Sequence, residues 1–476
     1  MNATASNLDP ALLQRELTSF VIDSREIRAG DVFFALSQPE YKNNGFNGEF
    51  EDATNYAASA FENGAAACVL RPDRFEEHKA ELKKYSGKLV FVDDAILALQ
   101  RLAHGVYLDW NGPVVAITGS AGKTTAKELT AHVLASTGRK VLRNIKNYNN
   151  GLGHPLTVLN LAKDKSYDVA VLEMGMSTPM NEIQRLCRIT PPDVAVELNV
   201  LPVHVEHLGS IENVAMAKAE LIEGMKPGGT AVLNADDFRV LAMSDLVDGK
   251  VLTYGIENDA DVRAADISFP RFGETSFALK TPNGTSHVRF PLNGQHNILN
   301  ALAAAAVGHS FGMSPDQIAK SLETVQPPPQ RGEVLHFKDG FTVINDSYNS
   351  NPTALLSMAA TLVEGAGSSR KIVVAGEMLE LGENEKAIHR ETGEKLGRSG
   401  IDKLIGVRGL ATELVEGAKH SGVSYAVFAV DSDSAGDLLV QEIRPGDVVL
   451  IKGSRGVRTE KVLEKLLQKF DLEDQR

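Results

Sequence analysis

The residues best suited to carry chemistry lie between positions 114 and 125. The apolar run Val114–Thr118 leads into a segment of small residues that ends in a lysine and two threonines, Gly119-Ser120-Ala121-Gly122-Lys123-Thr124-Thr125. Glycines allow such a loop to turn its amides inward around phosphates, while a lysine can reach the β- and γ-phosphates and a threonine hydroxyl can bind Mg²⁺. The sequence therefore predicts a strand, a phosphate-binding loop and, over residues 126–135, a helix whose N-terminus faces the phosphates.

One position departs from the usual pattern of a phosphate-binding loop. The strict pattern has a glycine where this chain has Ile117. The alternative interpretation is a glycine turn in front of an ordinary helix. The order of strand, loop and helix favours phosphate binding over that alternative.

Polar side chains also follow two later strands. Glu173 ends one apolar segment, and His204 follows the next, ahead of a predicted helix that contains Lys218. Because the carboxyl ends of parallel strands share one crevice, we expect Glu173 and His204 to lie near the phosphate loop. A carboxylate in that place is a common Mg²⁺ ligand or water-orienting group. Each residue alone has an ordinary alternative, since many strands end in glutamate and many polar loops are only solvated.

Two further segments are rich in polar residues. Asn147, Asn149 and Asn150 form an amide-rich loop, for which the alternatives are a tight turn or contacts with a polar substrate. Gly294-Gln295-His296-Asn297 opens an alanine-rich segment that is predicted to be helical. We expect His296 to cap or pack against this helix rather than to bind a metal, because no second ligand lies at helical spacing.

Composition limits the classes of protein that remain. The 476 residues carry a net charge of −13, which argues against a nucleic-acid partner, since binding to phosphate backbones requires a basic surplus. No apolar stretch is long enough to span a membrane, and the N-terminus lacks the pattern of a signal peptide. Cys68 and Cys187 are far apart in sequence, so each is expected to be a buried residue in a reducing compartment. We therefore expect a cytoplasmic protein.

The order of elements predicts an α/β fold in three domains. Residues 1–111 form a small α/β domain. Over residues 112–326 strands alternate with helices, which is typical of a parallel sheet with helices on both faces, and a hairpin is predicted around Pro282-Asn283-Gly284. The triple proline 327–329 begins a third α/β domain that extends to residue 476.

Together these segments resemble the Mur ligases, ATP-dependent enzymes that form amide bonds in the peptide of bacterial cell-wall precursors. The phosphate loop of that family also lacks the first glycine, so Ile117 agrees with the resemblance. Further segments match in the usual order, namely Asn147–Thr157, Glu173-Met174-Gly175, Asn234-Ala235-Asp236-Asp237 and Gly294-Gln295-His296-Asn297. The resemblance implies a UDP-substrate-binding N-terminal domain, a central P-loop ATPase-like sheet and a C-terminal Rossmann-like domain that contributes to ATP and amino-acid binding.

Segments of the third domain are most similar to the family member that adds D-alanyl-D-alanine to a UDP-muramoyl-tripeptide. They are Asp346-Ser347-Tyr348-Asn349-Ser350-Asn351-Pro352, Gly376-Glu377-Met378-Leu379-Glu380-Leu381-Gly382 and Lys452-Gly453-Ser454-Arg455-Gly456. The implied reaction transfers the γ-phosphoryl group of ATP to the terminal carboxylate of the tripeptide, and the amine of the dipeptide then attacks the acyl phosphate.

The resemblance also implies roles toward ATP and Mg²⁺. Residues 119–125 hold the phosphates, with Lys123 at the β- and γ-phosphates. The implied Mg²⁺ ligands are Thr124, Glu173, His204 and Lys218, the last matching a lysine that the family carries as a carbamate. The other implied ATP contacts are Arg331 at the γ-phosphate, Asp346 at the ribose and Asn297 at the adenine. The implied catalytic residues are Lys123, Lys218, His204 and Arg331.

The implied substrate contacts lie in all three predicted domains. They are Ser24, Arg25, Asn147, Asn149, Asn150, Tyr348, Asn349, Lys452 and Arg455. Because ATP contacts come from the central and the third domain, we expect the domains to close around the nucleotide. The uridine-side contacts are less defined, because residues 41–52 resemble an insertion.

Two other functions remain open. A related ligase, such as one that extends folate with glutamate or a Mur ligase that adds a different amino acid, would share the central domain. A nucleotide-dependent switch could use the same phosphate loop. We expect a monomer. The sequence leaves open whether the third residue of the tripeptide is diaminopimelate or lysine.

Overall fold

The computed structural model describes residues 8–46, 49–145, 147–176, 181–202, 209–271, 273–326, 330–379, 381–382 and 384–473. The chain forms two compact units. The first unit comprises Met1–Val262 and Ala303–Gly312, and the second comprises Arg263–Leu302 and Met313–Arg476. None of the helices in the described part of the chain is long and apolar enough to cross a membrane.

The first unit begins with a small parallel sheet. Its strands, in the spatial order β1-β2-β3-β4, are β1 (Phe20–Val21), β2 (Val32–Phe34), β3 (Ala67–Leu70) and β4 (Leu89–Phe91). The helices before the next sheet are Pro10–Leu13, Gln38–Asn43, Ala57–Glu62, Pro72–Glu77, Lys79–Leu82 and Ala95–Trp110, with 3₁₀ turns at Ser24–Glu26, Ala53–Tyr56 and Lys83–Lys88.

A larger parallel sheet follows in the first unit. Its strands are β5 (Val114–Thr118), β6 (Val141–Arg143), β7 (Val169–Glu173), β8 (Val194–Glu197), β9 (Thr230–Asn234) and β10 (Lys250–Gly255), paired in the order β10-β9-β8-β5-β7-β6. The associated helices are Lys123–Ala135, Gly153–Val158, Asn160–Lys163, Glu182–Ile189, Ile211–Glu223 and Phe238–Leu241, with a 3₁₀ turn at Ala242–Leu246. All five residues of β5 are buried, as expected for a central parallel strand covered on both faces.

The second unit contains an antiparallel meander and a mostly parallel sheet. The meander is formed by β11 (Val262–Arg271), β12 (Glu274–Thr281) and β13 (Gly284–Phe290). The other sheet has the order β14-β15-β19-β16-β17-β18, with antiparallel β14 at its edge, and its strands are β14 (Glu333–His336), β15 (Thr342–Asp346), β16 (Lys371–Gly376), β17 (Lys403–Val407), β18 (Tyr425–Ala429) and β19 (Val448–Lys452).

The helices of the second unit separate these strands. They are Pro315–Glu323, Pro352–Ala366, Glu385–Arg398, Ala411–His420, Ser432–Glu442 and Glu460–Leu467, while Gln295–Ser310 has residues in both units. Apolar clusters on the two faces of the sheet include Val373 and Leu450 on one side and Val374 and Ile451 on the other. This alternation follows from the opposite directions of successive side chains along a strand.

The α/β class and the parallel central sheet are confirmed, and the hairpin at Pro282-Asn283 closes β12 and β13 as predicted. One expectation about an individual element was wrong, because the helix after the phosphate loop begins at Lys123 rather than at residue 126. Strands β1, β6, β10 and β14 were not anticipated. The boundaries after residues 111 and 326 stay predictions.

Candidate active site

The phosphate loop follows β5 with the backbone conformations that its glycines permit. Gly122 has φ 83° and caps the helix Lys123–Ala135, and a left-handed residue of this kind favours glycine. At Gly119, a Cβ atom would lie 2.7 Å from the Cβ of Leu198, so a larger residue would displace the end of the neighbouring strand. The amides of Ser120 and Ala121 donate to the backbone and side-chain oxygens of Asn199, at 2.9 and 2.8 Å. The loop is therefore held against the chain that follows β8.

Lys123 folds back over this loop. Its Nζ donates to the backbone oxygen of Gly119 at 2.8 Å and to that of Ser120 at 3.3 Å. Both acceptors are neutral carbonyls, which makes them weaker partners for an ammonium group than phosphate oxygens. The lysine thus lies where a nucleotide's terminal phosphates would be held by such a loop.

Thr124 and Glu173 are brought together at the start of the same helix. The Thr124 hydroxyl donates to the Glu173 carboxylate at 2.8 Å, and the Asn149 side-chain amide donates to the other oxygen of that carboxylate at 2.7 Å. The structure thus joins three residues of the predicted site from three segments. Asn150 instead accepts from the amides of Leu152 and Gly153, which is the local turn role considered as its alternative.

The oxygen atoms of Thr124 and Glu173 fit Mg²⁺. This ion is commonly bound in nucleotide enzymes by one or two protein oxygens together with phosphate oxygens and water. Within the described part of the chain, no group of three or more histidine, cysteine, aspartate or glutamate side chains is arranged to hold a metal. Thr124 and Glu173 are thus the two predicted Mg²⁺ ligands that the structure brings into contact.

Lys218 lies on the helix Ile211–Glu223 and is only 3% exposed. Burial lowers its pKa to about 7, the positive charge of Lys123 acts in the same direction, and the charge of Glu197 opposes both. A neutral amine can add carbon dioxide, whereas an ammonium group has no free electron pair to do so. The surroundings of Lys218 therefore favour the form that a carbamate requires.

Glu197 is a site residue that the sequence interpretation missed. It ends β8 beside Thr118 and its side chain is fully buried, and among the residues that the structure describes neither carboxylate oxygen has a hydrogen-bond partner. Burial raises its pKa well above the ordinary value, while the charge of Lys218 opposes that rise. The available signal was that β8, like β7, is an apolar strand ending in glutamate beside the phosphate-loop strand.

We expect Glu197→Gln to raise the free energy of unfolding of the ligand-free protein. A raised folded-state pKa means that this carboxyl contributes stability below about pH 4.5 and that the contribution is lost as the pH rises through the folded-state value. The difference in free energy of unfolding between the variant and the wild type should grow as the pH rises from about 4.5 through the folded-state pKa of Glu197, and it should reach about 1–3 kcal/mol. Denaturant unfolding between pH 5 and 9 measures it, with the exposed Glu257→Gln as the matched control. A difference between the variant and the wild type that shrinks or reverses as the pH rises would contradict the expectation.

In the second unit, Asp346 and Lys452 are directly paired. They end the neighbouring strands β15 and β19 in register, and Lys452 Nζ lies 2.5 Å from Asp346 Oδ2. Lys452 is 3% exposed and also donates to the backbone oxygen of Asn349 at 2.9 Å. The partly buried His296 is close enough for the charges of Asp346 and Lys452 to act on its pKa, which desolvation lowers. Lys452 thus stabilises the position of the predicted ribose contact.

An aromatic side chain joins the other predicted contacts of the second unit. The guanidinium carbon of Arg331 lies 4.1 Å from the centre of the Tyr348 ring, and that of Arg455 lies 5.9 Å from it. Asn297 is buried and donates to the backbone oxygen of Asn293 at 2.8 Å, and its side-chain nitrogen would lie 4.0 Å from a Cβ at Gly332. Residues predicted to bind ATP and residues predicted to bind substrate therefore share one cluster in this unit.

The remaining predicted residues are placed more locally or lie outside the described residues. Ser24 and Arg25 lie on a 3₁₀ turn, and Arg25 forms an exposed bidentate ion pair with Asp23. Asn147 is exposed in its loop. His204 lies outside the described residues. The roles of all these residues toward ligands stay predictions.

Comparison with known proteins agrees with this fold. The Mur ligase middle domain matches residues 117–308, and the Mur ligase glutamate ligase domain matches residues 330–455. The UDP-N-acetylmuramoyl-tripeptide–D-alanyl-D-alanine ligase of Bacillus subtilis is 32% identical over 461 residues, which cover 97% of this chain and 95% of that protein.

Solved structures give the same result. A crystal structure of MurF from Acinetobacter baumannii has a TM-score of 0.82 at 29% identity and covers 96% of this chain and 94% of its own. MurF ligase from Thermotoga maritima in complex with ADP has a TM-score of 0.79 at 29% identity, covering 97% of this chain and 99% of its own.

The phosphate loop, the carboxylate beside it and the matched domains define an ATP-dependent amide ligase. The chain belongs to the Mur ligase family, in the group of UDP-N-acetylmuramoyl-tripeptide–D-alanyl-D-alanine ligases.

Proposed function

We propose that this protein joins D-alanyl-D-alanine to UDP-N-acetylmuramoyl-tripeptide in peptidoglycan synthesis, with ATP converted to ADP and phosphate. The observation that carries the proposal is the phosphate loop with Lys123 folded over it and the Thr124–Glu173 pair at its end. This geometry lies in a chain that matches ligases of that name over nearly its whole length. Those relatives favour this reaction over folate extension and over a nucleotide switch.

The chemistry explains why a phosphate site is needed to form an amide. A carboxylate repels an attacking amine, and oxide is a poor leaving group, whereas phosphate leaves readily from an acyl phosphate. Lys123 would exchange the carbonyls of Gly119 and Ser120 for the β- and γ-phosphate oxygens of ATP. From there it would stabilise the charge that is shared as the γ-phosphoryl group moves to the tripeptide carboxylate.

Thr124 and Glu173 would hold Mg²⁺, which, when bound, offsets phosphate charge during the transfer. His204 would contribute to the same ion, and Lys218, as a carbamate, would supply an anionic ligand for a second one. Two features of the protein itself support these roles. Asn149 restrains the Glu173 carboxylate through a hydrogen bond, and burial favours the neutral amine form of Lys218.

Contacts with the remaining parts of the substrates are assigned by their chemistry. Arg331 would approach the γ-phosphate, Asp346 the ribose hydroxyls and Asn297 the adenine. Ser24 and Arg25 would contact the uridine diphosphate. The polar group around Tyr348, Asn349, Lys452 and Arg455, together with Asn147, Asn149 and Asn150, would bind the peptide substrates. We further propose that the protein acts as a monomer in the cytoplasm, where UDP-linked precursors and ATP are available.

The test is phosphate release from ATP and Mg²⁺ with UDP-N-acetylmuramoyl-tripeptide, comparing D-alanyl-D-alanine, D-alanine and no amine. We expect phosphate release only with the dipeptide. Without an acceptor amine, each active site would form one acyl phosphate and the reaction would stop there. Release with D-alanine alone would move the protein to another branch of the family. Continuous hydrolysis without an amine would support the nucleotide switch instead. Running the assay with tripeptides that end in diaminopimelate or lysine identifies the preferred third residue.

A further inference from the structure

The side chain of Asn144 forms hydrogen bonds with both the backbone N–H and the backbone carbonyl of Glu173. Its amide nitrogen donates to the Glu173 backbone oxygen at 2.8 Å, and its amide oxygen accepts from the Glu173 backbone N–H at 3.0 Å. The neighbouring strand β6 ends at Arg143, where it pairs with Val171, two residues before Glu173. One side chain therefore continues the pairing of β7 after its partner strand has ended.

Asn144 is itself held from two directions. It is 2% exposed, and its backbone oxygen accepts from Lys127 Nζ at 2.5 Å. Its side-chain nitrogen also donates to the backbone oxygen of Tyr148 at 3.0 Å, which fixes the loop that carries Asn149. Buried asparagine and lysine side chains are costly unless each polar group is paired, so this network is a specific arrangement rather than a surface contact.

The phosphate-loop helix contributes to both ends of the network. Thr124 and Lys127 are three residues apart and so lie on one side of the helix Lys123–Ala135. Thr124 binds the Glu173 carboxylate, while Lys127 binds Asn144, which binds the Glu173 backbone. Both the carboxylate and the backbone of Glu173 are thereby held in place by the helix that follows the phosphate loop.

We propose that Asn144, supported by Lys127, is a positioning residue that sets the Glu173 carboxylate at the distance from the phosphate loop at which it can hold a divalent cation. The proposal rests on the function proposed above, because it assigns a purpose to the position of Glu173. Residues that orient metal ligands in this way commonly change metal affinity 10–100-fold when they are replaced.

The test uses Asn144→Asp, which keeps the size of the side chain and the acceptor for the Glu173 N–H but replaces the donor to the Glu173 carbonyl with a repelling oxygen. Asn160→Asp is the matched control, since Asn160 is an exposed residue that donates to backbone oxygens of its own helical segment. Mn²⁺ serves as the probe and is titrated by electron paramagnetic resonance into the full-length protein with a non-hydrolysable ATP analogue. No turnover takes place in this experiment.

In the titration we expect Asn144→Asp to raise the dissociation constant of Mn²⁺ about 10-fold or more, while Asn160→Asp keeps the wild-type value. In separate ligation assays, Asn144→Asp should raise the KM for Mg²⁺ in step and leave the KM for D-alanyl-D-alanine unchanged. If Asn144→Asp does not fold, Lys127→Met provides the second variant, and it should weaken Mn²⁺ binding several-fold. Mn²⁺ affinities within twofold of the wild type in both variants would overturn the proposal, even if either variant unfolds at a lower temperature. Failure of the wild type to release phosphate with the dipeptide would overturn the proposed function instead, and the Mn²⁺ titration separates the two cases.

Discussion

Replacing Lys123 with methionine is expected to reduce kcat/KM for ligation on the order of 10²–10³-fold. Methionine keeps most of the length of the side chain but removes the ammonium group that would stabilise charge on the transferred phosphoryl group. Two acceptors of this group are the neutral carbonyls of Gly119 and Ser120, which are weaker partners than phosphate oxygens, so we expect turnover to depend on the lysine more than folding does. Phosphate release with both substrates present measures the effect.

The matched control for this variant is Lys163→Met, at an exposed position of the same unit. The control should release phosphate at the wild-type rate, and both proteins should unfold within a few degrees of the wild type. A Lys123→Met protein with a wild-type rate would remove the phosphate loop from the proposed mechanism. A large decrease in its unfolding temperature would show that the lysine serves the loop structure rather than the reaction.

The phosphate loop could be predicted because its signal is local. An apolar strand, two glycines and a Gly-Lys-Thr sequence within twelve residues restrict the backbone to few conformations, and the structure has the expected strand, loop and helix. The position of the Lys123 side chain was not predictable in the same way. It depends on which acceptors are present, and in the folded chain these include two carbonyls of the loop itself.

Contacts that depend on strand register were largely out of reach. Asn144 precedes Glu173 by 29 residues, and its role appears only because β6 ends two positions before Glu173 is reached on the neighbouring strand. Asp346 and Lys452 were each identified as site residues, but their direct pairing follows from the register of β15 with β19, across 106 residues. A sequence pattern gives the ends of strands without giving the order in which the strands pair.

Glu197 illustrates a different limit. Its position at the end of an apolar strand was visible, but a buried carboxylate with no hydrogen-bond partner in the described part of the chain runs against the general expectation that buried charges are paired. Local rules of this kind tend to fail at functional sites, where stability is given up for reactivity. Burial raises the pKa of Glu197 and lowers the pKa of Lys218, and this pair is therefore an indication of function that only the folded chain provides.

Replacing Lys218 with methionine is expected to reduce kcat on the order of 10²–10³-fold while leaving the ligand-free protein as stable as the wild type or more so. The reason is that burial already makes the charged form of this lysine unfavourable and lowers its pKa to about 7. At pH 8 most of the side chain is then a neutral amine, whose nitrogen can attack the carbon of carbon dioxide and release a proton to solvent. The resulting carbamate would be the anionic Mg²⁺ ligand that we propose for this position.

Carbon-13 NMR of the protein in labelled bicarbonate tests the modification directly. A carbamate resonance should be present in the wild type and in the exposed control Lys165→Met, should increase between pH 6 and pH 8, and should be absent from Lys218→Met. The sign follows from the lowered pKa, because below pH 7 the ammonium form predominates and has no electron pair to donate. A resonance that appears only near pH 10 would show that Lys218 behaves as an ordinary lysine. If Lys218→Met retained wild-type turnover, neither the amine nor its carbamate would take part in the reaction.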